Sequence, residues 1–392
     1  MTIDTNAHLR PLASERQLTY LDAIVQEGTQ AAAARALGIN QRTLERALKS
    51  LRAKYARTDA MHMPADIPEG YAIKGTSTLV DGDGNAKLRW IKTHEDREAL
   101  SEALTAMVEE LTEDIRGVAT PTAGGVEEHE DDLAVVYPWG DPHLGMYAWA
   151  EEAGGDFDIA IAERDLEEAM ATLVERAPAS EVGILLNLGD FFHADNQSNM
   201  TTRSGHILDV DTRWSQTMKV GVRLMVKCIR FMLLKHKTVL VRNVRGNHDD
   251  HSAMALSLIL DAYFENEPRV EIDTSPAEVW YYRFGSTLIG ATHGDKIKAS
   301  KLPGLMAFDR KEDWAASDYR YWYCGHVHHR EERANEESGV TVEYFRTLAE
   351  RDVYTQSSGY RAGKDIRYIV LHRDWGEIER HTLDIRRIRS QQ

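Results

Sequence analysis

The sequence predicts a mixed α/β chain in which a small helix-turn-helix module precedes a larger α/β domain. Three observations lead there. Residues 15–57 carry apolar positions at helical spacing broken by turn signals. From Leu133 onward, short apolar runs alternate with helical stretches. Those runs end repeatedly in Asp, Asn and His. At 392 residues the chain exceeds one ordinary core, which favours two or three domains.

In the first segment Leu18, Leu21, Ile24 and Val25 share a helical face, and Gly28-Thr29 supplies a stop followed by an N-cap. Ala34 is small where two helices cross, Gly38 permits the turn, Asn40 caps the next helix and Leu44 plugs the space between them. The third helix carries Arg42, Arg46, Lys49 and Arg52, with Lys54 and Arg57 beyond, against the single acid Glu45. That charge suits a helix lying along a phosphate backbone, so DNA is the expected partner. Residues 71–93 have an Asp-Gly-rich centre between β-rich runs and read as a hairpin, either a basic wing or a solvated edge. Residues 95–115 repeat Leu100, Leu104, Val108 and Leu111 among acids, as an amphipathic helix does, and "RGVATPTAGGVEEHEDD" has linker composition. The expected division is 1–60 helix-turn-helix, 61–94 hairpin, 95–131 acidic helix and linker, and 132–392 α/β domain. Within the last, long helices are expected at 207–235 and 254–264.

Composition narrows the class. No apolar stretch approaches the ~20 residues that span a bilayer, and the start "MTIDTNAHLRPLASERQ" lacks the apolar core of a signal peptide. Two cysteines, Cys228 and Cys324, build no disulfide framework, so a reducing cytoplasm is expected. A formal net charge of −16 argues against a general polyanion binder without excluding a local basic face.

The chemistry sits at the strand ends. Asp141 and His143 stand in "DPHLG", Asp190 in "LGDFFH", Asn247 and His248 in "GNHDD", His293 in "THGD", and His326 and His328 in "GHVHH". Apolar runs of this kind are strands buried on both faces, and functional groups in such folds gather at the strand ends. In this order the motifs resemble the calcineurin-like metallophosphoesterase superfamily over about residues 133–372. The resemblance implies a β-sandwich flanked by helices and a two-ion centre. Asp141, His143, Asp190 and His328 would hold one ion, and Asp190, Asn247, His293 and His326 the other, with Asp190 as the bridge. Two divalent ions ~3.5–4 Å apart can activate a water and clamp a phosphate. The donor mixture suits Mn²⁺, the first choice by resemblance, or Fe, Zn or Mg. His248 is implied as the general acid and Asp249 as its orienter. His251 and His329 read as bystanders.

The substrate clue is His193, three residues after Asp190. "GDFFHADN" resembles the double-strand-break repair exonucleases, where this histidine positions a DNA phosphate, rather than the GDxVDRG of protein phosphatases. A metal-dependent DNA nuclease, with exonuclease the first expectation, is the leading reading. A phosphomonoesterase or nucleotide phosphodiesterase, and a DNA-binding regulatory or packaging protein with a vestigial domain, are the alternatives. Those nucleases begin with the phosphoesterase domain, whereas here it comes last, which puts an ATPase partner in doubt. The order helix-turn-helix, hairpin, phosphoesterase resembles chains of tailed bacteriophages and prophages, implying a host bacterial cytoplasm. Oligomeric state is left open, a homo-oligomer included.

Overall fold

The computed structural model describes residues 6–59, 71–80, 86–95, 117–201, 205–327, 331–335, 338–350 and 362–390. The chain divides into two compact units, Met1–Arg97 and Glu98–Gln392.

Among its described residues the first unit holds three α-helices, α1 (Glu15–Glu27), α2 (Gln30–Ala36) and α3 (Gln41–Asp59), as the apolar spacing requires. Ser14 and Gln17 close a capping box on α1, and Gly28, at φ +78°, ends it. Thr29 Oγ1 accepts the Ala32 N–H at 3.2 Å to start α2, and Asn40 Oδ1 accepts the Arg42 N–H at 2.9 Å to start α3. Leu44 is fully buried with Leu21, Ala34 and Leu48, each buried leucine being worth about 1.5–3 kcal/mol. A short 3-10 turn at Ala7–Leu12, which periodicity did not reveal, adds Leu9 to this core. The hairpin forms from β1 (Tyr71–Val80) and β2 (Ala86–Glu95), paired antiparallel with irregularities after Ile73 and after Leu79. The acidic helix expected at 95–115 lies, apart from Glu95 at the end of β2, outside the described residues.

The second unit is built on two sheets. One is six-stranded, in the order β13 (Gly376–Asp384), β12 (Asp365–His372), β3 (Glu130–Trp139), β4 (Ser180–Asn187), β5 (Thr238–Asn243), β6 (Val270–Asp273). Its β3 to β6 run parallel, through crossovers containing α4 (Ile159–Arg176), α5 (Trp214–Leu233) and α6 (Ser252–Phe264). The other has five strands, β10 (Glu331–Asn335), β11 (Val340–Tyr344), β9 (Tyr319–Cys324), β8 (Thr287–Thr292) and β7 (Trp280–Phe284). Alternation divides β3 between two cores. Leu133, Val135, Tyr137 and Trp139 pack on the helices, while Ala134 and Val136 meet Ile289, Ala291 and Tyr323 of the second sheet. The outer face of that second sheet packs Trp322 and Cys324 against α7 (Leu302–Asp309). The result is the sandwich flanked by helices that the motif order implies.

Two expectations are corrected. Residues 207–213 are not helical, and α5 begins at Trp214. Val210 pairs with Met146, the Asp211 N–H donates to Gly145 O and Asp211 Oδ2 accepts the Ile159 N–H. Tertiary partners thus override helical periodicity in this stretch. The linker-like segment is, in its described part, a strap. Gly117 and Ala119 donate to the carbonyls of Ala262 and Tyr263, and Val126 donates to that of Leu234. These carbonyls lie at the ends of α6 and α5, where helices leave acceptors unpaired, so a polar strap without regular structure satisfies both units of backbone.

One buried histidine sets an acid limit on stability. His236 is fully buried, with Nε2 2.8 Å from Tyr137 Oη and Nδ1 2.8 Å from Ser180 Oγ. Ser180 Oγ–H donates to Val182 O, so the neutral imidazole donates from Nδ1 and accepts at Nε2, leaving no site for a second proton. Burial, with the Lys235 and His129 charges, pushes the imidazole down to about 3. Because the unfolded chain takes up this proton first, stability falls as pH drops from about 6.5 toward 3. Denaturant unfolding at pH 7.5 and 5.0 is expected to show about 2 kcal/mol of loss from this group, and the His236→Gln chain should lose that much less.

Candidate metal centre

Five strands deliver the site. The turns leaving β3, β4, β5, β8 and β9 carry Asp141 and His143, Asp190, Asn247 and His248, His293, and His326, respectively. Four of these, Asp141 (φ +45°), His143 (+47°), Asp190 (+50°) and His326 (+71°), adopt left-handed backbone unusual for residues with a side chain. Each costs about 1–3 kcal/mol, which the packed strand ends must over-determine. Glycine does the remaining turning. A Cβ on Gly246 would collide with the Asp190 carboxylate and backbone nitrogen, and Gly189, at φ +97°, lies against Gly246.

Among the described residues, three groups offer ligand atoms within 4.8 Å of one another: Asp141, His143 and Asp190; Asp190, His293 and His326; and His143, His193 and His248. Asp190 belongs to the first two. Asp141, His143, Asp190 and His293 are all buried. Both Asp141 carboxylate oxygens accept the His326 N–H, at 2.9 and 2.8 Å, which ties the first motif to the last. Asp190 Oδ1 accepts the His248 N–H at 2.8 Å, and Oδ2 lies 3.2 Å from His293 Nε2. His293 Nδ1 stands 2.9 Å from the Leu188 carbonyl, which fixes its proton there and leaves Nε2 facing Asp190 and, at 3.1 Å, Asn247 Oδ1. Once Nε2 gives up its proton, His293 Nε2, Asp190 Oδ2 and Asn247 Oδ1 would present lone pairs at separations that match neighbouring ligands of one ion, roughly 3 Å apart for bonds of about 2.1 Å. The donors present therefore fit a divalent cation, with Leu188 O as the outer partner that orients the imidazole.

Electrostatics agree. Burial drives the Asp141 carboxyl up to about 7, against the attraction of His293. Burial also works to raise Asp190, but the His293, His248 and His143 charges reverse it and hold Asp190 well below the usual carboxylate range. The two acids move apart because His293, 3.2 Å from Asp190 and 3.6 Å from Asp141, favours the nearer. His326 is pushed down by burial and by His293. Two buried carboxylates thus share the positive charge of the histidines around them, a setting in which a bound cation would be favourable.

Residues 15–58 match the model for bacterial regulatory helix-turn-helix proteins of the lysR family. Solved structures similar to the chain include a predicted phosphoesterase from Streptococcus pneumoniae TIGR4, at 11% identity and TM-score 0.27, covering 64% of this chain and 98% of that one. They also include a dimetal phosphatase from Danio rerio, at 9% identity and TM-score 0.36, covering 65% and 100%. A Vps29 single mutant from Entamoeba histolytica aligns at 11% identity and TM-score 0.26, covering 64% and 98%. No curated protein matches the chain. At these scores the likeness carries no functional weight, and the chemistry rests on the side chains themselves.

His328 lies outside the described residues. His193 is 2% exposed, with Nδ1 3.2 Å from His143 Nδ1 and its carbonyl 2.8 Å from His248 Nδ1. Asp249, fully buried, accepts the N–H groups of Asp190, Phe192 and Gly246, so it holds the "GD" and "GNHD" turns together. Sequence reasoning missed Asp195, whose buried carboxylate accepts from three donors, the His251 N–H and Nδ1 and the Ser252 N–H, across the same two turns. The signal was an acid five residues beyond Asp190 facing a histidine passed over as a bystander. On α3, Arg42, Arg46, Lys49 and Arg52 are all exposed. No helix among the described residues is long and apolar enough to cross a membrane.

Proposed function

We propose that the chain is a metal-dependent hydrolase of phosphodiester bonds in DNA, an exonuclease in the first instance, working with two divalent cations of which Mn²⁺ is the first choice. The observation that carries this is the buried Asp190 shared by two ligand groups at the strand ends. Asp141, His143 and Asp190 would hold one ion, with His328 completing the set, and Asp190, Asn247, His293 and His326 the other. Such a pair, when bound, supplies Lewis acidity that activates water near neutral pH and neutralises the phosphoryl oxygens. The protein's own work is positioning. His248 Nδ1–H donates to the His193 carbonyl, which fixes the ring so that Nε2 can give its proton to the leaving oxygen. His193 acts on substrate through His143 and His248.

DNA as the substrate is supported by the helix-turn-helix match and by the exposed basic residues of α3. A DNA-holding module on the same chain raises the local concentration of phosphodiester, which a small phosphomonoester does not need. The test is Mn²⁺-loaded protein on end-labelled linear DNA and on a covalently closed circle, beside an aryl phosphomonoester and an aryl phosphodiester. Release of label from linear DNA by the native chain supports the reading; turnover of the aryl monoester with no cleavage of either DNA replaces it with a monoesterase. Binding by the chain in chelator gives a second measurement. The Arg46→Ala, Lys49→Ala double variant is expected to make the slope of log K against log salt shallower by about two, since each phosphate contact contributes about 0.9.

A further inference from the structure

His251 belongs to none of the three ligand groups, yet it is held as firmly as any residue in them. Asp195, whose side chain is fully buried, receives His251 Nδ1 at 2.7 Å on Oδ2. The backbone N–H of His251 reaches both carboxylate oxygens at 3.1 Å, and the Ser252 N–H reaches Oδ1 at 2.7 Å. Ser252 Oγ in turn donates to the Asp195 carbonyl at 3.3 Å and accepts Trp214 Nε1–H at 3.0 Å. The first N–H groups of α6 are therefore spoken for, so the helix end offers no anion site of its own. What remains is the ring. Its Nδ1 is pinned to the carboxylate, its Nε2 points away from it, and the side chain is 36% exposed. A buried acid that holds Nδ1 of an imidazole leaves Nε2–H as the ring's remaining donor, here in a side chain more than a third exposed.

The dyad joins the two turns that carry the candidate centre, Asp195 standing five residues after Asp190 and His251 four after Asn247. Four residues span at most roughly 14 Å, so His251 stands within a nucleotide or two of the ions' ligands. We propose that His251 is a phosphate-binding residue, whose Nε2–H, directed by Asp195, donates to the backbone phosphate neighbouring the one that is cut. This deepens the nuclease reading and rests on it, because only a substrate with a second phosphate can fill the contact. The charged groups around the ring agree. The Asp195 hydrogen bond, with the Asp195 and Asp250 charges, raises the imidazole above its ordinary value, while burial and Arg245 work against it. Arg245 is itself engaged by Asp250 at 2.8 Å and Glu278 at 3.1 Å.

The experiment is steady-state cleavage of a labelled oligonucleotide by the metal-loaded chain across a salt series, with His251→Gln, His251→Arg and the native protein. In His251→Gln, KM is expected to rise about tenfold, the larger effect falling on KM rather than kcat, and the salt slope of log kcat/KM to become shallower by about one contact. His251→Arg, which places a charged donor at this position, should restore the slope. Thermal unfolding of each variant shows whether the fold is kept; a merely structural His251 would lower the midpoint without moving the slope. An unmoved KM and slope in folded His251→Gln overturns the assignment, as does a loss confined to kcat. If the native chain itself fails to cleave the oligonucleotide, the nuclease reading falls first and takes this contact with it.

Discussion

Asp190→Asn is expected to lower turnover by at least about a thousandfold, close to 4 kcal/mol in the barrier, and to reduce bound divalent metal from two ions per chain to one or none. The expectation follows from geometry. Among the described residues Asp190 alone is common to the Asp141, His143 group and the His293, His326 group, so it offers an oxygen to both. Asparagine is nearly the same size, but it removes the negative charge that two neighbouring cations need between them and replaces one oxygen by a donor that repels a cation. The backbone scaffold does not depend on that charge, because the Asp190 N–H is fixed by Asp249 at 3.1 Å. Metal content by mass spectrometry, activity, and unfolding of the metal-free chain separate the possibilities. A variant that keeps two ions and native turnover would remove the bridging role and the two-ion reading with it.

His248→Ala is expected to lower kcat by about 10²–10⁴, the range for losing a general acid, while leaving metal content near that of the native chain. His248 contributes its backbone N–H to Asp190 and its Nδ1 to the His193 carbonyl, and alanine keeps the first of these. The measurement has a second edge. His143, His193 and His248 also lie within ligand distance of one another, so a fall in metal content alongside activity would move His248 into the ion-holding set. Native kcat in the variant would end its role as acid.

Much of the candidate site was legible in the chain because its donor residues come in short local motifs. A strand that is apolar on both faces can only end in a turn, and the residues in that turn are the first that can be polar; "LGD", "GNHD" and "THGD" announce themselves for that reason. The helix-turn-helix was legible likewise, since Gly28, Thr29, Gly38 and Asn40 act on residues only a few positions away. Long-range contacts left no such mark. The strap at 117–126 has the composition of a linker because its partners are helix-end carbonyls, which have no side-chain signature. Residues 207–213 carry helical periodicity, but pairing of Val210 with Met146 prevails. His193 reads as a substrate contact from its motif, and only the folded chain shows it buried behind His143.

The sequence by itself determined the kinds of donor and the order in which the strands present them, because metal-ligand chemistry depends on residue identity and strand ends are marked by hydrophobic pattern. The tertiary structure alone decided which donors lie side by side, since Asp190 meets His293 from 103 residues away only when two sheets stack and their ends align. It also decided that Asp195 and His251 form a pair. A carboxylate and an imidazole 56 residues apart acquire a relation only when two turns are folded against each other, and no local pattern encodes that distance.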